Sequence, residues 1–325
     1  MQSILYMILN KLPQKLLLKI LFTIIFGSQC VIGFASCADS NFLDKTKIDG
    51  SILKGQNIKN TDPVAKRTVL IAQNFNLNNH RPQFFGLCTG VVIDSNTILT
   101  AAHCAKNFKT SKVLFTTDIY TDTFTDSSTD SLSDKNIFNI KTAIIHENYL
   151  EPSPENVQVS KYDIALLKID RTISGIDSIS NYLTSYLMLS STTEYIKKTD
   201  AVALLKPVIA GFGKTHLIQS VENKDPNTTP VNGILQKADI EIAETQYSLP
   251  LLMVDQRLKS GVCSGDSGGP LFVYRNGELY LQGLAIAVLF NNPFEQKYSL
   301  CYGQGIYLNL DFLKNWISEN IKKLN

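Results

Sequence analysis

A serine near the end of the chain has the surroundings of a catalytic nucleophile. Ser267 lies in the stretch GVCSGDSGGP, residues 261–270, where an aspartate precedes it and glycines flank it. A serine hydroxyl attacks a carbonyl only when a base lies within hydrogen-bond reach and an acid orients that base. Glycines nearby would let backbone N–H groups face the reacting oxygen. The alternative is a flexible turn that merely contains a serine, so the rest of the chain must supply the base and the acid.

The order of the histidines restricts the kind of site. The chain has four, and all precede Ser267: His80, His103, His146 and His216. GDSGG also fits the GxSxG elbow of the α/β-hydrolases, but there the histidine follows the serine and a helix follows the elbow. The order His, Asp, Ser remains, with His103 in TAAHC and Asp163 in DIALL. We interpret the other three histidines as surface or packing residues.

The segments TAAHC, DIALL and GDSGGP, in this order, resemble the chymotrypsin-like serine proteases. The resemblance implies that Ser267 is the nucleophile, His103 the general base and then acid, and Asp163 the residue that orients the imidazole. It implies an oxyanion hole made by the N–H groups of Gly265 and Ser267. The expected activity is hydrolysis of protein or peptide substrates through an acyl-enzyme, with no cofactor and no metal.

The same resemblance bears on the pocket for the residue before the scissile bond. Gly261 stands six residues before the nucleophile, where trypsin-like members carry an aspartate, so cleavage after Lys or Arg is not expected. Val288 would narrow the pocket, and Gly305 would line it. The resemblance therefore implies a preference for small or medium apolar side chains. Ile286 replaces the usual serine, which weakens the expected support of Asp163 and leaves a catalytically inactive protease homologue that acts as a binding protein as the alternative.

The elements that must hold these residues read mostly as strands. β-Branched and apolar runs recur, and the segments at 94–96 and 275–278 are predicted hairpin turns. Helical periodicity returns only at 311–324, where one face carries Phe312, Leu313, Trp316, Ile317 and Ile321. With the resemblance, we expect an all-β fold of two packed six-stranded antiparallel barrels, about 64–170 and about 201–310, and a C-terminal helix.

Six cysteines are present, of which Cys30 and Cys37 lie in the N-terminal region. The remaining four suggest two disulfides in an exported chain, and spacing alone leaves three connectivities open. The resemblance implies Cys88–Cys104 and Cys263–Cys301. No cysteine or histidine spacing is typical of zinc.

The N-terminus predicts export. Residues 1–37 contain three lysines and no acid, and the apolar run 20–27 is followed by small residues, as in a secretory signal. A buried helix and a retained membrane anchor are alternatives, because the apolar character to residue 35 approaches the roughly 17–25 residues that span a bilayer. FASC also resembles a bacterial lipoprotein box, so the protein is expected to be secreted or periplasmic, or lipid-anchored at Cys37.

Residues 38–51 are interpreted as a short pro-segment before a protease domain at 52–324. The segment ILKG resembles the N-terminus that activation frees in this family. The resemblance implies that the amine of Ile52 would pair with Asp266; a cut that frees Ile48 is the rival.

Charge and composition argue against a nucleic-acid-binding protein and against a calcium-binding loop. Net charge is +2, which gives no basic field for nucleic acid. The aspartates that recur every four residues at 116–136 predict a solvated loop, since a calcium loop would need a glycine and a glutamate that are absent there.

Overall fold

The computed structural model describes residues 52–78, 81–121, 136–152, 159–173, 206–213, 233–243, 246, 248–257, 259–275, 278–290, 301 and 303–324. All of them belong to the second of two units, Ile48–Asn325. The signal, lipid-anchor and pro-segment predictions fall outside the described residues. So do His80, His216 and most of the aspartate-rich loop.

Nine strands form the first half of the described chain. They are β1 (Gln56–Asn57), β2 (Thr68–Gln73), β3 (Asn76–Asn78), β4 (Arg81–Gln83), β5 (Gly86–Asp94), β6 (Thr97–Thr100), β7 (Lys112–Leu114), β8 (Ile137–Ile145) and β9 (Ala165–Ile169). Six of them close a barrel in the order β2-β5-β6-β9-β8-β7, while β3 and β4 pair separately. The apolar runs of β2, β5 and β6 are buried almost throughout, and they supply the barrel core.

A second sheet is built from the C-terminal half. Its strands are β10 (Lys206–Gly211), β11 (Gln236–Asp239), β12 (Leu251–Asp255), β13 (Pro270–Arg275), β14 (Glu278–Leu289) and β15 (Gln304–Asn309). The order is β1-β11-β10-β13-β14-β15-β12, so the N-terminal β1 adds a seventh strand. Across the described ranges no pairing joins β11 to β12. The mostly β fold with a closed six-stranded barrel and a second sheet is confirmed, although the seventh strand was not predicted.

The predicted C-terminal helix is present. A 3₁₀ turn, Leu310–Phe312, leads into the helix α2 (Lys314–Leu324); a short α1 (Ala102–Ala105) precedes it, and 3₁₀ turns span Ala65–Arg67 and Phe108–Thr110. Leu313, Trp316 and Ile317 are buried, as the periodicity predicts, whereas Phe312 is exposed because it lies in the 3₁₀ turn. In the part of the chain that is described, no helix is long and apolar enough to cross a membrane.

Both predicted hairpins form. β5 pairs with β6 around residues 95–96, and β13 pairs with β14 through Arg275 and Glu278. For the site, the important register is that of β6 and β9, in which Thr100 lies opposite Ala165. The end of one strand therefore lies beside the start of the other.

Candidate active site

His103 and Asp163 are brought together by the pairing of β6 with β9. His103 follows β6 in α1, and Asp163 stands two residues before β9. The Asp163 carboxylate accepts two hydrogen bonds from His103, one from the ring Nδ1–H at 2.7 Å and one from the backbone N–H at 3.0 Å. These two bonds fix both the ring and the backbone of the histidine. Nε2 is therefore the ring nitrogen left to exchange a proton, in a side chain that is one-third exposed.

The carboxylate of Asp163 lies in a largely dry environment. Asp163 is buried, and Ile286, which replaces the expected serine, is buried as well. Burial, with a smaller contribution from Asp163, raises the pKa of Tyr149 to about 12. Tyr149 therefore stays protonated near Asp163 over the working pH range.

Ser267 is attached to the first barrel through Thr89 of β5. The Thr89 N–H donates to the Ser267 carbonyl at 2.8 Å, and its hydroxyl donates to the Gly265 carbonyl at 2.9 Å. The same hydroxyl accepts from the backbone N–H of Phe212 at 3.2 Å. Thr100, three residues before His103, donates to the Thr89 carbonyl at 2.9 Å. One buried threonine thus connects the strand that leads to His103 with the turn that carries Ser267.

The turn around Ser267 requires glycine at two positions. Gly265 has φ +102° and Gly268 has φ +81°, in the region that side-chain-bearing residues avoid. A Cβ on Gly268 would lie 2.3 Å from the Thr89 carbonyl oxygen and 2.9 Å from the backbone nitrogen of Ala101. The absence of a side chain there lets the turn pack against the segment that carries His103.

The backbone N–H groups of this turn divide into two sets. Those of Asp266, Gly268 and Gly269 donate to carbonyl oxygens. Those of Gly265 and Ser267 find no acceptor among the described residues. Backbone donors in a folded protein are nearly always paired, so these two N–H groups on alternate residues are available to an acceptor that binds beside the serine.

Asp266 is completely buried, and its oxygens accept from the backbone N–H groups of Gly213 and Cys263, each at 2.8 Å. Burial raises the pKa of the Asp266 carboxyl well above its usual range, against the lowering effect of the two hydrogen bonds. Gly211 and Gly213 make room for it, since a Cβ at either position would overlap the carboxylate.

The predicted activation residue Ile52 is fully buried beside β11. Its N–H donates to Gln236 Oε1 at 3.3 Å rather than to Asp266, and the next N–H, of Leu53, donates to the Gly261 carbonyl at 2.9 Å. Ile52 shares a core cluster with Val262 and Tyr307. The structure therefore docks this segment in the second sheet without an ion pair to Asp266.

A pocket of about 240 Å³ opens beside the serine. Its lining is Val262, Cys263, Ser264, Ser267, Ala285, Ile286, Ala287 and Val288. The structure thus brings Val288 to the pocket with Ser267. Gly261 and Gly305 are not among these lining residues, and a Cβ at either position would meet the buried side chain of Gln256.

Both implied disulfides are present, Cys88–Cys104 and Cys263–Cys301, with Cα–Cα distances of 6.1 and 4.8 Å. The first ties β5 to α1 directly beside His103. Although Cys88, Cys104 and His103 lie close enough to suggest a metal site, the two sulfurs are bonded to each other. They are therefore not thiolate ligands.

Two of the residues that organise this site were missed by sequence reasoning. Thr89 follows Cys88 in an ordinary strand pattern, and Gln256 follows β12 as one polar residue among several. Neither carries a spacing signal, since each acts through contacts that only the packed structure creates.

Comparison with known proteins shows the family to which the chain belongs. The family model described as Trypsin matches residues 71–317. Serine protease SSP1 of Scolopendra subspinipes is 27% identical over 73% of this chain and 74% of its own length. CLIP domain-containing serine protease B4 of Anopheles gambiae is 30% identical over 72% of this chain and 62% of its own length.

A solved structure of mouse neuropsin, titled a serine protease, matches 83% of this chain and all of its own chain, with a TM-score of 0.50 and 19% identity. That likeness concerns the fold. The family model and the relatives show a serine-type endopeptidase. With the family model covering most of its length, the chain belongs to the trypsin family.

Proposed function

We propose that this chain is an exported endopeptidase that cleaves peptide bonds with Ser267 as nucleophile, His103 as base and acid, and Asp163 as the orienting acid. The observation that carries the proposal is the paired contact of Asp163 with the ring and backbone of His103. The fixation of the Ser267 carbonyl by Thr89 supports it.

The mechanism follows from the proton inventory of these groups. His103 Nδ1–H donates to Asp163, so the neutral ring presents an accepting Nε2. As the Ser267 oxygen bonds to the scissile carbonyl carbon, its proton moves to Nε2. The imidazolium then gives that proton to the leaving amine as the C–N bond breaks. Water repeats the sequence on the acyl-enzyme and releases the carboxylic acid.

The developing oxyanion is proposed to bind the free N–H groups of Gly265 and Ser267. Each such donor typically contributes about 3–4 kcal/mol of transition-state stabilisation. These donors do not depend on the side chain of the substrate, which agrees with a general peptide-bond hydrolase.

The proposed preference is for small or medium apolar side chains before the scissile bond. The pocket beside Ser267 is lined by Val262, Ala285, Ala287 and Val288, and no charged residue is among its lining residues. A Lys or Arg side chain would lose its hydration there without gaining a counter-charge.

Export and activation complete the proposal. The basic, apolar N-terminus, residues 1–37, would direct the chain out of the cytoplasm, with lipid attachment at Cys37 as the alternative, and disulfides suit that compartment. Cleavage before Ile52 would free an amine in the same half of the molecule as Asp266. That carboxyl is fully buried and has no cationic partner among the described residues, and a buried carboxylate gains strongly from such a partner.

The test is digestion of a diverse peptide library by the mature protein beside a Ser267→Ala control. Cleavage after small apolar residues, absent from the control, is the expected result. Cleavage after Lys or Arg would refute the preference but keep the chemistry. If the two proteins behave alike and a serine-directed phosphonate does not label Ser267, the chain is a non-catalytic binding protein of this family.

A further inference from the structure

One buried glutamine lies directly behind a residue that lines the pocket, Val262. Gln256 directly follows β12 and is only 1% exposed. Its Nε2 donates to the carbonyls of Val262 at 2.7 Å and Cys301 at 2.6 Å, and its Oε1 accepts from the Val262 N–H at 3.0 Å. Its own backbone N–H donates to the Gly303 carbonyl at 3.1 Å. The amide is therefore held in one position by the two segments that the Cys263–Cys301 bridge also joins.

The Gln256 side chain occupies the space between the two glycines that the sequence assigned to the pocket. A Cβ on Gly261 would lie 2.2 Å from Gln256 Oε1 and 2.4 Å from its Cβ. A Cβ on Gly305, on another strand, would lie 2.6 Å from the same Oε1. Contacts this short never occur between real atoms, so glutamine fills the room that both glycines leave.

The lining of the pocket agrees with this position. Val262 borders the pocket on one side and hydrogen-bonds Gln256 through both its N–H and its carbonyl. Gly261 and Gly305, which contact Gln256, are outside the lining. Gln256 therefore lies directly behind Val262, one residue removed from the cavity.

We infer that Gln256, from its place behind Val262, limits the depth of this pocket and is a specificity-determining residue that sets how long a side chain the enzyme accepts before the scissile bond. The inference rests on the proposed function and names a cause for its preference. A longer side chain would have to displace a glutamine held by three side-chain hydrogen bonds. Because the amide is neutral and already paired, it offers nothing to a substrate cation.

The experiment compares kcat/KM for peptides that differ only in a straight-chain residue before the cut: alanine, norvaline and norleucine. The wild type should cleave the norleucine peptide least efficiently. Gln256→Ala should raise the norleucine-to-alanine ratio by about tenfold or more, the discrimination that a few methylenes give in an apolar pocket. Gln256→Met, which keeps the length but loses the amide, should keep the wild-type ratio.

A shorter variant that keeps the amide tests the inference even if the alanine variant does not fold. Gln256→Asn should shift the optimum toward norvaline even if Gln256→Ala fails to fold, as judged by circular dichroism. A folded Gln256→Asn or Gln256→Ala protein whose ratios stay within twofold of the wild type would overturn the inference. So would a Gln256→Met variant that accepts norleucine as well as Gln256→Ala does.

These outcomes are separate from failure of the proposed function. If the proposed function is wrong, the wild type and Ser267→Ala digest the three peptides equally. If only the inference is wrong, the wild type cleaves the three peptides and Ser267→Ala does not. The norleucine-to-alanine ratio of kcat/KM then stays the same when residue 256 is substituted.

Discussion

The side chain of His103 depends on Asp163 for its chemistry, because a neutral imidazole accepts a proton on only one nitrogen. The 2.7 Å contact at Nδ1 places the ring hydrogen on that atom and leaves Nε2 as the acceptor. The backbone bond from His103 to the other carboxylate oxygen keeps the two groups aligned. The missing serine at position 286 has therefore not left the carboxylate without partners.

Replacing Asp163 by Asn tests this dependence. The amide would donate to Nδ1, move the ring hydrogen to Nε2 and remove the base, so kcat should fall by about 10⁴-fold while the fold is kept. Steady-state kinetics on a peptide substrate measures it. Asp170→Asn, directly after β9, changes an acid that accepts from Asn139 and pairs with Arg171 at 3.7 Å, and it should leave kcat unchanged. A loss below tenfold in Asp163→Asn would count against the assigned role.

Thr89 is a second single residue on which the site depends, and it acts by hydrogen-bonding backbone groups. Its hydroxyl holds the Gly265 carbonyl and the Phe212 N–H, both of which are buried. Losing it would leave two buried polar groups unpaired and loosen the turn that aims the free N–H groups.

Thr89→Val is expected to lower the free energy of unfolding by about 1–3 kcal/mol, the cost of unsatisfied buried groups, and to lower kcat as well. Urea denaturation and kinetics measure the two effects. Thr68→Val is the matched control, because Thr68 is equally buried but its hydroxyl bonds only to Val64, four residues earlier. It should lose stability and keep kcat. Equal kcat in both variants would show that the Thr89 link is structural only.

At the scale of elements, the helix α2 packs on the barrel strands through a stack of rings. His146, at the end of β8, lies 4.9 Å from the ring of Trp316 and 4.6 Å from that of Tyr162, which precedes Asp163. Trp316 donates to Glu147 at 2.9 Å, and His146 Nδ1 accepts the Asn148 N–H at 3.1 Å. The helix thus braces the loop that carries Asp163.

This stack predicts a pH dependence of stability. Burial lowers the pKa of His146, opposed weakly by Glu147, so the unfolded chain takes up a proton that the folded one resists. Stability should therefore be full above the ordinary pKa of about 6.5 and fall as the pH drops through that value. Melting temperatures between pH 8 and 5 measure it. A His146→Gln variant should show a shallower fall, and an unchanged slope would contradict the prediction.

At the scale of the whole molecule, the site draws on both sheets, and the N-terminal segment packs on the second of them. Thr89 and His103 come from the first barrel, while Ser267 and the pocket come from the second sheet. Segment 52–57 packs on the second sheet through β1 and the Leu53–Gly261 bridge. The buried Asp266 lies in the same half and has no cationic partner in the described part of the chain.

A protein that begins at Ile52 should be at least about tenfold more active than the full chain, a gain worth about 1.4 kcal/mol. The new amine would pair with Asp266, which raises its pKa above the ordinary value of about 8. Activity should therefore be retained below that raised pKa and be lost as the pH rises through it. Kinetics from pH 7 to 10 measures this gain.

Two further forms of the protein test whether the position of the new amine matters. A form that begins at Ser51 should lack the gain, because its amine is one residue away. A form that begins at Ile48 tests the rival cleavage point. Equal activity of the full chain and the Ile52 form would refute activation at this site.

The amino-acid sequence by itself determined the family, the mostly β fold and the C-terminal helix. Motif order and strand periodicity are local properties, so TAAHC, DIALL and GDSGGP could be read without coordinates. The sequence also led to the proposed triad, because His103, Asp163 and Ser267 lie inside these three motifs.

Only the tertiary structure decided how the site is closed and connected. The seventh strand β1, the Thr89 link and the position of Gln256 between Gly261 and Gly305 arise from contacts between segments distant in the chain. No local pattern encodes them, since a buried threonine or glutamine is given its role by the groups that folding places around it. At Gly261 and Gly305, the two glycines predicted for the pocket, a side chain from another segment fills the room that glycine leaves.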